Sequence, residues 1–338
     1  MTRRDREFID DAARRLKPLL ENARRVALCT HVNPDGDGIG AEICLHRHLR
    51  TIDIESRIIN TEGLPLRYRF LDPAGAVEVF DAREHAGFLR NADLIFMLDN
   101  SSVSRLGPLE PAVRASRATT VCIDHHDVVE PFWKINIVDE EASATGELVF
   151  QIVKALGGTI DTEGAQAAYV SLVTDTGYFR FSKTSPRSHE AAAEMLALGV
   201  RPPLVYQEVY ERNSAALVKL SGVALASLQR DEDGALAWIR LTHKQVLDCD
   251  AVREDLSDVV NGLLAIDGVR IAVMLKELGG DRIKLSFRSK QALDVNRIAA
   301  MFGGGGHRNA SGAVISGSLD DSIDRVLAPC RDLLRAGR

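Results

Sequence analysis

Three short apolar runs in the first half of the chain each lead directly into acidic or histidine residues. The runs cover residues 26–30, 94–98 and 119–123, and stretches with helical periodicity lie between them. Alternation of this kind is typical of an α/β protein built on a parallel sheet. The carboxyl ends of parallel strands share one edge of the sheet, and ligands bind beyond that edge where the strand order reverses. The polar residues that follow the three runs are therefore expected to form one site.

The rest of the pattern predicts a second, smaller domain. Residues 52–59 predict another strand of the first domain, and helices are expected to begin near Ser143 and Asp161. A helical stretch rich in Ala, Leu and Glu follows, and then strands over 236–241, 269–275 and 282–287. We therefore expect an α/β fold with a catalytic domain (1–190) that has a mostly parallel sheet and helices on both faces, a helical linker (191–230) and a smaller C-terminal α/β domain (231–338).

The composition is that of a globular protein from a reducing compartment. The 338 residues are 45% hydrophobic and 27% charged, with a formal net charge of -6. No apolar run approaches the roughly 20 residues that cross a bilayer, and the amino terminus is too charged for a secretory signal. Five scattered cysteines argue against a disulfide framework or a zinc ribbon. We expect a cytoplasmic protein that neither enters a membrane nor coats long nucleic acid, because net negative charge opposes such coating.

Seven residues after the predicted strands, with an eighth at a helix end, have the chemistry of a metal site. So many carboxylates in one cleft repel one another unless cations neutralise them. Aspartate and histidine ligands without thiolate suit Mn²⁺, Mg²⁺ or Co²⁺ better than a structural Zn²⁺. Two ions roughly 3.5–4 Å apart are the standard device for displacement at phosphorus, one generating hydroxide and both stabilising charge. The pattern thus predicts a two-metal phosphoesterase with the residues His31, Asp35, Asp37, Asp99, Asp124, His125, His126 and Asp175.

Each segment alone has an ordinary explanation. An aspartate after a strand, such as Asp99, commonly forms a turn or caps a helix. A His-His pair commonly lies on the surface, and the Thr-Asp-Thr-Gly stretch at 174–177 can simply end a helix. The His-x-x-Pro-Asp-x-Asp segment at 31–37 is much less common by chance. The prediction depends on all these segments occurring together.

The order of the segments resembles that of the DHH phosphoesterase superfamily, named for its Asp-His-His motif. Residues 31–37 resemble its first motif, Asp99 its second, 124–126 its third and Asp175 its fourth. The glycine-rich segment 304–312 resembles the signature of the DHH-associated C-terminal domain. The resemblance extends over nearly the whole chain, and the size matches the bacterial branch of nanoRNases and pAp phosphatases.

The resemblance implies a role for each residue of the predicted site. It assigns one ion to His31, Asp35 and Asp99, and a second ion to Asp37, Asp99, His125 and Asp175. Asp99 would therefore bridge the two ions. Asp124 would orient ligands through hydrogen bonds, and His126 would face the scissile phosphate, stabilising its charge or assisting the leaving oxygen. Asp99, Asp124 and His126 are accordingly the expected catalytic residues, and Mn²⁺ is the implied ion.

A run of four glycines at 303–306 predicts a substrate-binding segment in the C-terminal domain. Glycines let backbone N–H groups approach an anion and adopt positive φ freely. Arg288 lies at the end of a predicted strand, and the resemblance implies that it binds a phosphate. A planar guanidinium is well suited to phosphate binding. Arg105 and Arg180 are weaker candidates on the catalytic side. The expected substrate-binding residues are Arg288, Gly304, Gly305, Gly306, His307, Asn309, Ser311, Arg105 and Arg180.

The aromatic content argues for a short substrate. Tracking along a long single strand usually needs a basic groove with several aromatic platforms, whereas this chain is 5% aromatic and net acidic. A cleft closed by two lobes suits a substrate of two to a few nucleotides. We therefore expect a Mn²⁺-dependent phosphodiesterase that degrades very short RNA to 5′-mononucleotides and also converts 3′-phosphoadenosine 5′-phosphate (pAp) to AMP.

Several alternatives remain open at this point. A pAp phosphatase is the nearest, because the same metals serve both reactions. Linear or cyclic dinucleotide messengers (pGpG, pApA, cyclic di-AMP) form another class of substrate. Inorganic pyrophosphatases share the motifs of the first domain but lack the glycine-rich histidine segment. A non-catalytic nucleotide-binding protein is disfavoured because every expected ligand is present, and the family also suggests a homodimer.

Overall fold

The computed structural model describes residues 1–126, 130–231, 233–252, 254 and 256–336, apart from the side chain of His307. These residues form two units, Met1–Arg212 and Asn213–Arg338. The division falls inside the segment 191–230 that the sequence assigns to a linker. Among the described residues, no helix combines the length and the apolar character that crossing a bilayer requires.

The first unit is built on six parallel strands. They are β1 Arg25–Cys29, β2 Glu55–Asn60, β3 Val77–Val79, β4 Leu94–Leu98, β5 Thr119–Asp124 and β6 Ile135–Val138. Their order in the sheet is β3-β2-β1-β4-β5-β6, and all neighbours are parallel. The order reverses between β1 and β4. Such a reversal opens a crevice beyond the carboxyl ends of the two strands.

Helices cover both faces of this sheet. In the described part of the first unit they are α1 Arg3–Asn22, α2 Gly36–Thr51, α3 Ala82–Arg90, α4 Glu110–Ala115, α5 Thr145–Ala155, α6 Thr162–Asp175, α7 Pro186–Ala197 and α8 Pro202–Tyr210, with 3₁₀ segments Leu66–Leu71 and Val103–Leu109. Successive strand residues point to opposite faces. Phe96 of β4 therefore packs in the core formed with α1, α2, α5 and α6, whereas Met97 packs with α3 and α4. The predicted fold class of the first domain is confirmed.

The predicted strands agree closely with the structure. The run 94–98 coincides with β4, and the runs 26–30 and 119–123 differ from β1 and β5 by no more than one residue at either end. The strand predicted over 52–59 begins three residues later, because α2 continues to Thr51 and a turn follows. The sequence missed β3 and β6. Both are short edge strands with mostly half-buried side chains, so they lack a clear apolar pattern.

The second unit has a mixed six-stranded sheet. Its strands are β7 Gln229–Arg230, β8 Leu236–Leu241, β9 Ile271–Gly279, β10 Arg282–Ser289, β11 Gly305–His307 and β12 Ala310–Ser316, in the order β11-β12-β10-β9-β8-β7. Only the β8–β9 pair is parallel among these described strands. Its helices are α9 Ala215–Ala226, α10 His243–Asp248, α11 Ser257–Leu263, α12 Asn296–Met301 and α13 Leu319–Ala336. The predicted smaller α/β domain is thus confirmed.

The glycine run leads into a tight β-hairpin. β11 pairs antiparallel with β12, and Gly305 lies opposite Gly312. A Cβ at Gly304 would collide with the carbonyl oxygen of Gly312. A Cβ at Gly306, where φ is +143°, would lie 2.7 Å from the carbonyl oxygen of Ala310. These two positions need glycine because the neighbouring backbone leaves no room for a side chain.

Candidate metal centre

The candidate site lies at the reversal of strand order, where β1 and β4 end side by side. His31 and Asp99 follow these strands, and His31 Nε2 lies 3.4 Å from Asp99 Oδ2. Asp35 Oδ2 lies 3.8 Å from the same nitrogen. His31 and Asp99 are buried, whereas Asp35 is exposed. Ligand atoms of the three residues converge closely enough to hold one cation.

Asp37 is held from several sides in the first turn of α2. Asp35 caps this helix and accepts a hydrogen bond of 3.0 Å from the backbone amide of Asp37. The Asp37 carboxylate accepts hydrogen bonds from the backbone amides of Thr145 (2.8 Å) and Gly146 (2.9 Å) and from the hydroxyl of Ser171. The positive end of the α5 dipole thus faces this buried carboxylate.

A second group of carboxylates lies around His125. Its Nε2 lies 3.4 Å from Asp37 Oδ2, 3.4 Å from Asp175 Oδ2 and 3.6 Å from Asp99 Oδ1. Asp175 is the last residue of α6. Asp37, His125 and Asp175 have ligand atoms that converge on one point, as in the first group.

Asp99 connects the two groups because its oxygens face different histidines. Oδ2 is the oxygen near His31, and Oδ1 is the oxygen near His125. Thr145 Oγ1 donates a hydrogen bond of 3.2 Å to Oδ1. The backbone of Asp99 has φ +62°, in the left-handed region that few residues other than glycine adopt. A strained conformation of this kind commonly persists at functional sites, and here it directs a carboxylate that can serve two cations at once.

Asp124 and His126 form a pair at the end of β5. Asp124 Oδ1 accepts hydrogen bonds from His126 Nδ1 (2.7 Å) and from the His126 backbone amide (3.2 Å). Burial by itself raises the pKa of Asp124, but the hydrogen bond and charge of His126 bring it below its usual value. Burial by itself lowers the pKa of His126, but Asp124 raises it above its usual value. The His126 side chain is 35% exposed, so it is both oriented and accessible.

The histidine rings of the two groups fit bound cations. His31 Nδ1 lies 2.8 Å from the carbonyl oxygen of Val32, and His125 Nδ1 lies 3.2 Å from that of Ala142. A carbonyl only accepts, so each Nδ1 bears the proton and each Nε2 presents a lone pair. His125 Nε2 is buried without a hydrogen-bond partner among the described residues. Its lone pair faces carboxylate oxygens, which repel it, and His125 with these carboxylates would be suited to hold a cation.

The electrostatics of the buried carboxylates also favour a cation. Burial, and then the charge of Asp37, raise the pKa of Asp99 well above its ordinary value. Burial raises the pKa of Asp175 to about 8. Burial lowers the pKa values of His31 and His125, which favours the neutral imidazoles that a metal ion would require as ligands. A divalent cation among these groups restores the charged carboxylates. The donor set of carboxylate oxygen and imidazole nitrogen suits Mn²⁺, Mg²⁺ or Co²⁺.

Comparison with known proteins agrees with this architecture. The N-terminal domain of the DHH family matches residues 25–174, and the DHHA1 domain matches residues 240–336. A Thermus thermophilus protein named bifunctional oligoribonuclease and PAP phosphatase NrnA is 31% identical over 317 residues, covering 92% of this chain and 91% of the relative. The chain belongs to the DHH family. The family resemblance predicted from the motifs is confirmed.

Another relative and two solved structures are also similar to this chain. The Bacillus subtilis protein named bifunctional oligoribonuclease and PAP phosphatase NrnA is 27% identical over 315 residues, covering 92% of this chain and 95% of the relative. An exopolyphosphatase-related protein from Bacteroides fragilis superposes with a TM-score of 0.92 at 29% identity, covering 96% of this chain and 98% of that chain. RecJ of Thermus thermophilus in complex with Mn²⁺ shares the fold, with a TM-score of 0.51 at 16% identity, covering 95% of this chain and 54% of RecJ.

Three residues of the first unit support the site although no motif pointed to them. Thr145 and Ser171 contact the carboxylate of Asp37, and Thr145 also contacts Asp99. Lys183 Nζ donates a hydrogen bond of 2.9 Å to the backbone oxygen of His125. The one sequence signal for Thr145 was its place at the start of a predicted helix, where backbone amides are available to an anion.

The two arginines predicted on the catalytic side differ in their surroundings. The backbone oxygen of Arg105 accepts a hydrogen bond of 2.8 Å from the amide of Val32, next to His31. Burial chiefly lowers the pKa of His31, and the charge of Arg105 adds to this effect. Arg180 is exposed and its guanidinium lies 5.2 Å from the ring centre of Phe181. Arg105 therefore lies beside the first ligand group, whereas the contact of Arg180 is with its own loop.

The residues predicted in the DHHA1 domain lie around the glycine hairpin. Arg288 Nε donates a hydrogen bond of 2.7 Å to Asn261 Oδ1. The Asn309 side-chain amide donates to Ser289 Oγ at 2.8 Å and to two backbone oxygens. Ser311 is buried and its hydroxyl donates to the backbone oxygen of Val295 at 2.9 Å. Asn309 and Ser311 thus anchor the hairpin. The first strand of the hairpin includes Gly305 and Gly306, and Gly304 directly precedes it. The side chain of His307 lies outside the described part of the structure.

Proposed function

We propose that this protein is a two-metal phosphoesterase that hydrolyses RNA of two to a few nucleotides to 5′-mononucleotides and also converts pAp to AMP. The observation that supports this best is the pair of ligand groups joined by Asp99, whose two oxygens face His31 and His125. Relatives of nearly equal length are named for both activities. The same constellation serves a diester and a monoester, because both reactions displace an oxygen at phosphorus.

Each side chain has a definite task in this proposal. A pair of divalent cations, when bound, supplies Lewis acidity and neutralises charge on the phosphate oxygens. Asp99 fixes the spacing of the two ligand groups, and Asp37, supported by the amides at the start of α5, would hold the second ion together with His125 and Asp175. Asp124 orients His126 through the 2.7 Å hydrogen bond to Nδ1. His126 then stabilises the developing negative charge or donates a proton to the leaving oxygen.

We propose Mn²⁺ as the native ion, with Mg²⁺ and Co²⁺ as substitutes. Hard carboxylate oxygens and imidazole nitrogens suit Mn²⁺, and no thiolate is present in the ligand groups to favour Zn²⁺. The chelated protein should regain activity with Mn²⁺ at the lowest concentration. Reactivation by Zn²⁺ alone would contradict this assignment.

We assign substrate binding in the DHHA1 domain to Arg288 and the glycine hairpin. The hairpin leaves space beside the backbone at Gly305, where a Cβ would meet only Asn296 Oδ1, at 3.9 Å, so a phosphate can approach the backbone there. Arg288 supplies a planar cation suited to a terminal phosphate. His307, Arg105 and Arg180 are the further candidates for phosphate contacts.

We also propose a homodimer in a reducing compartment, a setting that suits four buried free cysteines.

A substrate panel tests the proposal directly. It consists of 5′-labelled RNAs from dimer to decamer, pAp, pGpG and cyclic di-AMP, each assayed with Mn²⁺ and with a chelator. We expect the highest kcat/KM on RNAs of two to a few nucleotides, measurable turnover of pAp, and no activity with the chelator. A thousandfold preference for pAp would make the protein chiefly a pAp phosphatase. A preference for the cyclic or pGpG substrates would make it a messenger hydrolase.

A further inference from the structure

Three tyrosines of the first unit form a stacked cluster, which we call the tyrosine triad. The ring centres of Tyr178 and Tyr206 are 5.2 Å apart and those of Tyr178 and Tyr210 are 5.4 Å apart, both edge to face. Tyr206 and Tyr210 stack at 5.3 Å with an angle of 30° between their planes. Aromatic pairs prefer these offset and tilted arrangements. The triad is therefore a packed unit rather than three separate surface residues.

The triad adjoins the metal centre through two connections. Tyr178 follows Asp175, the carboxylate at the end of α6, by three residues. The 3₁₀ segment Leu66–Leu71, against which α8 packs, contains Tyr68. Burial raises the pKa of Tyr68, and the nearby Asp35 and Tyr210 raise it further. Tyr68 is thus near both Asp35, a predicted metal ligand, and Tyr210, a member of the triad.

The backbone that presents Tyr178 is strained. Gly177, Tyr178 and Phe179 have φ values of +55°, +56° and +62°, so three consecutive residues lie in the left-handed region. This conformation is unfavourable for residues with a side chain. Hydrogen bonds from the Tyr178 amide to the Val173 oxygen (2.8 Å) and from the Phe179 amide to Thr176 Oγ1 (3.1 Å) maintain it. The left-handed turn directs Tyr178 into the triad immediately after a predicted metal ligand, and strain retained at such a place points to function.

The outer member of the triad has the surroundings of a nucleobase platform. Tyr206 is 45% exposed, whereas Tyr178 and Tyr210 are half-buried behind it. The adjoining 3₁₀ segment also contains Arg67 and Arg69. An exposed aromatic ring on a helix that packs against an arginine-bearing segment combines the stacking surface and the positive charge that bind single-stranded nucleic acids. The low aromatic content argues against several platforms along a long strand, but the fold brings these three tyrosines together in one place.

We propose that Tyr206, backed by Tyr178 and Tyr210, stacks on a nucleobase of the substrate whose phosphate lies at the metal centre. The inference rests on the proposed function, since it concerns the base next to the cleaved phosphate. Stacking accepts every base but favours the larger purine rings. The platform would therefore give the enzyme a purine preference without base-specific hydrogen bonds.

Kinetics of Tyr206→Ala, Tyr206→Phe and Ile52→Ala test this platform. Ile52 is a matched control because it is 44% exposed and precedes β2, at the opposite edge of the sheet from the metal centre. The substrates are pApA, pUpU and two dinucleotides that lack the first or the second base. We expect Tyr206→Ala to raise KM for pApA by about tenfold with kcat nearly unchanged, from the usual energy of stacking one base. Tyr206→Phe and Ile52→Ala should keep the wild-type KM.

The abasic substrates decide between stacking and indirect effects. If Tyr206 stacks on one base, removal of that base should abolish the difference between wild type and Tyr206→Ala. An unchanged KM for pApA, an equal rise for both abasic substrates, or a change in oligomeric mass by light scattering would overturn the platform. Failure of the wild type to hydrolyse any short RNA would instead overturn the proposed function. The two failures are therefore distinguishable.

Discussion

Asn60 links a buried glutamate to the strand that leads into the metal centre. Its Nδ2 donates a hydrogen bond of 2.8 Å to Glu42 Oε2, while its Oδ1 accepts one of 3.0 Å from the amide of Thr30, just before His31. Glu42 is completely buried, and burial raises its pKa from 4.5 to about 8. At neutral pH the folded protein thus contains a protonated carboxyl in the core below the site.

This buried carboxyl predicts how stability depends on pH. Between pH 4.5 and about 8 the folded state holds a proton that the unfolded state has lost, so the free energy of unfolding falls as pH rises. The loss is on the order of 1 kcal/mol per pH unit. Glu42→Gln stays neutral and keeps the contact with Asn60, so it should remove this part of the slope. Urea unfolding of both proteins with chelator at pH 5 to 8.5 measures the difference, and parallel curves would contradict the prediction.

Removal of the carboxylate that joins the two ligand groups should abolish catalysis without unfolding the protein. In Asp99→Asn we expect kcat on short RNA to fall by about 10³-fold or more, because charge stabilisation at the transition state is lost. The metal-free variant should be at least as stable as metal-free wild type, because the raised pKa of Asp99 lowers the stability of the wild type at neutral pH and asparagine has no carboxyl group to titrate. Bound metal by elemental analysis and thermal unfolding are the measurements. Near-normal turnover with full metal content would exclude the assigned role.

His126 and Asp124 should differ in how strongly they affect turnover. We expect His126→Ala to slow kcat by about 10²–10⁴-fold if the imidazole stabilises charge or transfers a proton. Asp124→Asn should cost about 10–100-fold, because it acts through the orientation of its neighbours. Single-turnover rates at saturating Mn²⁺ provide the comparison, with metal content as the control for site integrity. A His126→Ala rate close to wild type would remove this residue from the reaction.

Gly304→Ala should destabilise the DHHA1 domain. The added Cβ would collide with the backbone of Gly312 across the hairpin. Overpacking of this kind costs about 1–3 kcal/mol. Gly222→Ala is the matched control, because Gly222 lies in α9 with open space where a Cβ would be and alanine favours a helix. Urea unfolding should therefore show opposite signs for the two variants, and equal stability of Gly304→Ala and wild type would contradict the close approach.

The sequence predicted the strands next to the site because they are buried on both faces. The run Leu94–Leu98 is apolar at every position, so its end and the following Asp99 could be located. The supporting contacts could not be predicted in the same way. Thr145 and Ser171 reach Asp37 from more than 100 positions away, and only the packing of α2 on α5 and α6 brings them together. The tyrosine triad was missed for the same reason, since its members come from a loop and from a separate helix.

The predicted ligands of the candidate metal centre come from the ends of three strands, from the start of α2 and from the end of α6, over residues 31 to 175. No short segment of the chain therefore contains the whole predicted ligand set. A growing chain can complete this set only after α6 has left the ribosome and docked. Ion uptake should then be a late event in the maturation of the enzyme, and the amount of bound ion should report how many molecules have finished folding.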